Sequence, residues 1–142
     1  MTYGIEVKYV KGELEGIHNG ERYSHSAHAF DFAAHDCCKD IIRLESLILD
    51  GRIHTGFLFV VCNHPPFWEP RARAGFIDGF ALRHRATLTG TLRRPEGTGE
   101  GTRRGRDIPL ELRGTYPIEW RDFASLDCKG GRFNYLVVKI GK

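Results

Sequence analysis

Phe30, Ala34, Cys37, Ile41, Leu44 and Ile48 recur at spacings of four, three, four, three and four residues. That rhythm restricts the fold more than any other feature, because it lays one apolar stripe along an α-helix. Asp50-Gly51 supplies the stop, glycine being the residue that most readily takes the left-handed conformation ending a helix. At the other end Ser24 or Ser26 is the expected cap. The stripe needs a surface to cover. The next segment, Thr55 to Cys62 (TGFLFVVC), is continuously apolar and β-rich, which predicts a strand covered on both faces. Asn63-His64-Pro65-Pro66 ends it.

The elements around this pair read as strands. Tyr3 to Val10 alternates, with Ile5, Val7 and Tyr9 on one side and Gly4, Glu6, Lys8 and Val10 on the other. Asn19-Gly20 marks a hairpin turn. Phe80 to His84 and Ala86 to Leu92 are short strand candidates. Ile108-Leu110-Leu112 and Tyr116-Ile118-Trp120 alternate, the latter sharing one strand face, so Tyr116, Trp120 and Phe67-Trp68 are expected to pack the sheet rather than stack on bases, and Phe133 to Ile140 closes the chain as a strand. At 142 residues and 41% hydrophobic, one domain over 1–142 is expected. Its class is α/β, mixed α+β: a strand–long helix–buried strand core continuing into an antiparallel β region. No apolar run approaches the roughly 18 residues that span a bilayer. Cys37, Cys38, Cys62 and Cys128 show no C-x-x-C spacing, so a reducing, cytoplasmic setting without a disulfide framework is expected.

Charge is unevenly placed. The chain carries a net +3, yet residues 71–106 hold nine arginines, no lysine and three acids, leaving the remainder acidic. The segment 93–106 is rich in Gly and Arg and is predicted to be a mobile loop. Arg83, Arg85, Arg103, Arg104 and Arg106 are candidate phosphate contacts, because a guanidinium can grip a phosphate through two parallel hydrogen bonds. On the helix, Lys39 and Arg43 are further candidates, and Asp36 and Asp40 are candidate metal ligands or members of an ordinary charged face. His18, His25, His28, His35 and Cys37 suggest a zinc-stabilised interaction domain as an alternative, although their spacing fits none of the usual zinc patterns.

Glu6 and Lys8 lie two apart on a strand, so both point to the same side. A carboxylate there can hold Mg²⁺ while the ammonium orients an attacking water. About one acid-x-Lys match is expected by chance in this composition. A second does occur, at Asp127-Cys128-Lys129, running into Gly130-Gly131. Only the first stands in the order strand, helix, buried strand, which forms a parallel crossover unit.

That order resembles the restriction-endonuclease-like, or PD-(D/E)-x-K, nuclease superfamily, and within it a subgroup of small bacterial proteins. The resemblance runs over nearly the whole chain, through IEVKY (5–9), KDIIRLE (39–45), GFLFVVCNHPPFW (56–68) and GTYPIEWRDFASL (114–126). It implies a Mg²⁺-dependent deoxyribonuclease-like domain that acts on or binds DNA, with Glu6 and Lys8 catalytic and Glu6 a metal ligand. It also implies a first acidic residue on an earlier strand. The five residues before Glu6 contain none. The expectation is therefore an N-terminally truncated domain, inactive or impaired as a nuclease. A non-catalytic module of the same fold, binding nucleic acid or a partner protein or pairing as a homodimer, remains the alternative.

Overall fold

A computed structural model describes residues 1–70, 79–80, 82–96 and 105–142. Strand β1 (Tyr3–Val10) is followed by a hairpin, β2 (Leu14–His18) and β3 (Glu21–His25), and then by helix α1 (Phe30–Leu49). After α1 come β4 (Thr55–Cys62), a single-turn helix α2 (Pro65–Trp68), β5 (Thr87–Leu92), β6 (Leu110–Pro117), β7 (Trp120–Ser125) and β8 (Arg132–Ile140). The class is mixed α and β with strands predominant.

The main sheet has the order β1-β4-β8-β7. Strands β1 and β4 are parallel, with Tyr3 opposite Thr55 and Val10 opposite Cys62, and α1 is their crossover. β8 runs antiparallel to both β4 and β7. Strands β5 and β6 pair separately, so α1 is packed between the main sheet and this two-stranded ribbon. Ala34, Cys37, Cys38, Ile41 and Leu44 of α1 meet Leu58, Val60 and Cys62 of β4 and Leu136, Val138 and Ile140 of β8 in the core. Phe67, Trp68 and Trp120 close one end of it, with ring centroids 5.9 Å and 5.7 Å from Trp120.

The distance between α1 and the sheet is set by two glycines. Gly4 and Gly56 face each other across β1 and β4. A Cβ on Gly4 would lie 3.0 Å from Leu44 Cδ2, and one on Gly56 would lie 3.0 Å from Leu44 Cβ. Leu44 thus drops into a slot that larger residues would fill, and its neighbour Arg43 is brought down over β1.

Several expectations change. The helix begins at Phe30, with Ala29 at the cap position and no side-chain cap bond; Ser24 belongs to β3. Its start is held by His28 N–H donating to the Lys11 carbonyl and by Phe30 stacked on His64, ring centroids 3.6 Å apart. The C-terminus falls at Asp50, with Gly51 at φ +67° as predicted. Asn19 and Gly20 both take positive φ in the β2–β3 turn, the requirement of a tight hairpin whose twist suits its strands.

β4 is not covered on both faces. Gly56, Leu58, Val60 and Cys62 face α1, whereas Phe57, Phe59 and Val61 lie on a side that no layer of the described residues covers completely. The run of aromatic and branched residues reads as doubly buried, yet those side chains line a partly open apolar surface. Residues 79–80 and 82–84 form turns rather than a strand. Tyr116, Ile118 and Trp120 are all buried, but they span the corner between β6 and β7 instead of sharing one strand. Asp127-Cys128-Lys129 lies in the β7–β8 loop, where Lys129 pairs with Glu13 at 2.9 Å.

A single buried amide joins three parts of the chain. Asn63, just past β4, accepts from Gly12 N–H at 2.6 Å and from the Tyr9 hydroxyl at 3.3 Å. Its NH₂ donates to the Gly130 carbonyl at 3.0 Å and the Glu13 carbonyl at 3.3 Å. Gly12 is required there, since a Cβ would come within 2.8 Å of the Asn63 carbonyl oxygen.

Candidate functional site

Alternation along β1 turns Gly4, Glu6, Lys8 and Val10 toward α1. Glu6 is opposite Leu58 and Lys8 opposite Val60 on β4, so the charged pair lies just outboard of the core, under one flank of the helix. Helical spacing brings Asp36, Asp40 and Arg43 to that flank. The Arg43 guanidinium donates to Glu6 Oε1 through Nε at 2.7 Å and to Asp40 Oδ1 through Nη2 at 2.7 Å. Lys8 Nζ lies 2.9 Å from Asp40 Oδ2. This is a charge contact whose alignment leaves Oδ2 without a well-formed hydrogen bond. Two carboxylates and two cations therefore form one chain, Glu6–Arg43–Asp40–Lys8, in which opposite charges balance.

Burial differs sharply along that chain. The Asp40 side chain is 7% exposed, those of Glu6 and Lys8 about a quarter to a third, and that of Arg43 more than half. Partial burial works against the Lys8 ammonium, but Asp40 outweighs it with help from Cys37 and Asp36, and the Lys8 pKa is raised. Lys8 is held as a cation. It can orient a phosphate or stabilise negative charge, and it is a poor general base. Burial pushes the Cys37 thiol well up, so it is inert.

Other predicted residues fall into three groups. Lys39 is exposed on α1, one helical turn from Arg43. Arg106 stacks on Phe32 near the start of the same helix, its Cζ 3.7 Å from the ring centroid. Lys8 and Arg43 thus gather at Asp40, whereas Lys39 and Arg106 lie toward Phe32 and His35 of the same helix. Arg83 does not join them: its guanidinium donates to the carbonyls of Pro66 and Glu69, tying down the loop after β4. Arg85 occupies a turn at φ +68°, its N–H donating to the Ile118 carbonyl. Arg103 and Arg104, with most of the predicted 93–106 loop, lie outside the described residues.

Asp36 is not drawn into the carboxylate cluster. Its Oδ1 lies 3.5 Å from His35 Nδ1, and His35 is buried edge-on against Phe80, its pKa lowered chiefly by desolvation. Among the described residues no three His, Cys, Asp or Glu side chains converge as a metal site. The predicted trio Glu6, Asp36 and Asp40 is thus reduced to a pair. The histidines disperse as well: His25 meets the Tyr9 hydroxyl at 3.1 Å, His35 is in the core and His18 is exposed on β2.

No protein-family model, curated protein or solved structure matches this chain.

One group escaped sequence reading. Glu45 is 5% exposed on the opposite flank of α1. It accepts from Arg113 N–H at 3.0 Å, Gly114 N–H at 2.8 Å and the Tyr116 hydroxyl at 2.6 Å. The carboxylate fastens α1 to β6. A legible signal existed: Asp40 and Glu45 both fall at apolar-stripe spacing, three residues after Cys37 and four after Ile41.

Proposed function

We propose that the chain is a nuclease-like domain of the PD-(D/E)-x-K type that engages DNA phosphates along the Lys8 flank of α1. The observation that carries this reading is the convergence of the Glu6-x-Lys8 pair with Asp40, a second carboxylate that approaches from the crossover helix rather than from a neighbouring strand. The parallel β1–α1–β4 unit and the cations Lys8, Arg43 and Lys39 around α1 are in keeping with it.

The donor set suits Mg²⁺, which favours one or two carboxylates together with substrate oxygens. Glu6 and Asp40 are the residues that would hold it, Arg43 engaging Glu6 through Oε1 and Lys8 lying 2.9 Å from the buried Asp40 Oδ2. The ion would supply Lewis-acid polarisation of the phosphoryl oxygen and a more acidic bound water. Arg43 already bridges the two carboxylates, so the cluster is electrically satisfied without a metal. Its half-exposed guanidinium can leave the pair for a phosphate. Lys8, fixed as an ammonium, is placed to steady negative charge at the reacting group. Because Arg43 competes for both carboxylates, nuclease activity of the wild-type chain is expected to be weak.

The test is binding of a labelled DNA duplex across a salt series, with plasmid nicking in Mg²⁺ and Mn²⁺ measured in parallel. Binding that weakens with salt, a slope reduced by about one in Lys39→Ala, and nicking abolished by Lys8→Ala are the expected results. Absence of binding at low salt would overturn the reading. Binding with no nicking in either metal, even in Arg43→Ala, would select the non-catalytic module, which the internal charge balance of the cluster favours.

A further inference from the structure

Strand β1 ends the main sheet, and among the described residues no strand pairs with its outer side. Ile5 is 62% exposed and Val7 72%. An eight-residue edge with apolar side chains is a liability that folded proteins normally cover or interrupt. The sequence of β1 is complementary to itself. Set antiparallel to a second copy about Val7, it places Val7 against Val7, Ile5 against Tyr9, Gly4 against Val10 and Glu6 against Lys8. Residues directly opposite in an antiparallel pair point to the same side. Apolar therefore meets apolar on the open side, and acid meets base on the helix side. Moving the register by two residues sets Glu6 against Glu6 in one direction and Lys8 against Lys8 in the other. Of these three registers only the one centred on Val7 avoids like charges, and it pairs all of Gly4 to Val10.

We propose that β1 is the dimer edge of this protein, pairing antiparallel with β1 of a second copy about a two-fold axis through Val7. A two-fold contact requires a surface that matches itself, and β1 meets that condition in shape, polarity and charge. The pairing joins two four-stranded sheets into one of eight strands, with both copies of α1 on the same side. The cross-strand charges add to the existing cluster without displacing it. Arg43 engages only Oε1 of Glu6, and Lys8 has three donors while contacting Asp40 with one. Each candidate site thereby gains a carboxylate and an ammonium from its twin. On the open side the rows Ile5–Phe57, Val7–Phe59 and Tyr9–Val61 continue across the two-fold into their counterparts.

Sedimentation velocity over a concentration series tests this without nucleic acid or metal, so its outcome is separable from that of the nuclease reading. Wild type is expected to show a monomer–dimer equilibrium. Val7→Lys, at an exposed position outside the ion-pair chain, should weaken it about tenfold or more by setting two cations together on the axis. Glu6→Lys and Lys8→Glu should each fail to self-associate, since each confronts like charges. Mixed together they should form a heterodimer, a recovery that misfolding of either variant would not produce. A wild-type monomer at the highest attainable concentration would overturn the proposal and leave the edge to a strand from another polypeptide. Dimerisation unchanged in Val7→Lys, or no heterodimer from the mixture with both variants folded by circular dichroism, would equally overturn it.

Discussion

Asp40 and Glu45 are two carboxylates on one helix, each 5% exposed, yet they are solvated by the protein in opposite ways. Glu45 is surrounded by neutral donors on a paired strand: two backbone N–H groups and a tyrosine hydroxyl. Asp40 is met by two cations on long side chains that remain partly in water. The first arrangement is rigid and has no exchangeable partner. The second can be re-paired, because Arg43 and Lys8 can each turn to another anion. Burial alone therefore does not say whether a carboxylate can be re-paired; the charge and reach of its partners do.

The largest expected effect lies at Glu45. Glu45→Ala leaves three donors without their carboxylate in a part-buried site, which at about 1 kcal/mol each implies a loss near 3 kcal/mol in urea unfolding. A loss below about 1 kcal/mol would show that the pocket is wetter than its burial indicates and erase the contrast. Asp40→Ala is expected to cost about 1–2 kcal/mol, since Lys8 and Arg43 regain water once released. The same substitution should bring the Lys8 pKa down, read by NMR titration of its ε-carbon.

The smallest effect is a pH dependence. The folded-state pKa of Lys8 is raised above its ordinary 10.5. Its stabilising contribution is therefore complete below pH 10.5 and fades as pH climbs through the folded value. Lys8→Met should flatten that alkaline decline, being somewhat less stable than wild type below pH 10.5 and converging with it above the folded pKa. An identical alkaline profile in the two proteins would mean that the Asp40 contact contributes nothing to stability.

The parts of this fold legible in the sequence are those governed by local rules. The stripe from Phe30 to Ile48, the Asn19-Gly20 turn and the alternation of β1 depend on periodicity and backbone preference, and they stand as read. What was not legible depends on partners distant in the chain. TGFLFVVC carries no mark of having only one side covered. The helix start is fixed by Lys11 and His64 rather than by a local cap. Arg83 looks like a phosphate ligand until the Pro66 and Glu69 carbonyls come within its reach. At the candidate site, the common side of Glu6 and Lys8 follows from strand geometry. The choice of Asp40 over Asp36 as their companion depends on how deeply Gly4 and Gly56 let Leu44 descend.

The Asn63 joint has a kinetic consequence. Its bonds span 51 residues to Gly12 and 67 to Gly130, so they form only after the sheet has brought those segments into place. Contacts of such separation arise late, once the loop-closure entropy has been met by other pairings. Removing them, as in Asn63→Ala, should leave the folding rate nearly untouched and quicken unfolding instead. Asn63 thus acts as a latch on the finished structure, governing how long the native state persists rather than how fast it is reached.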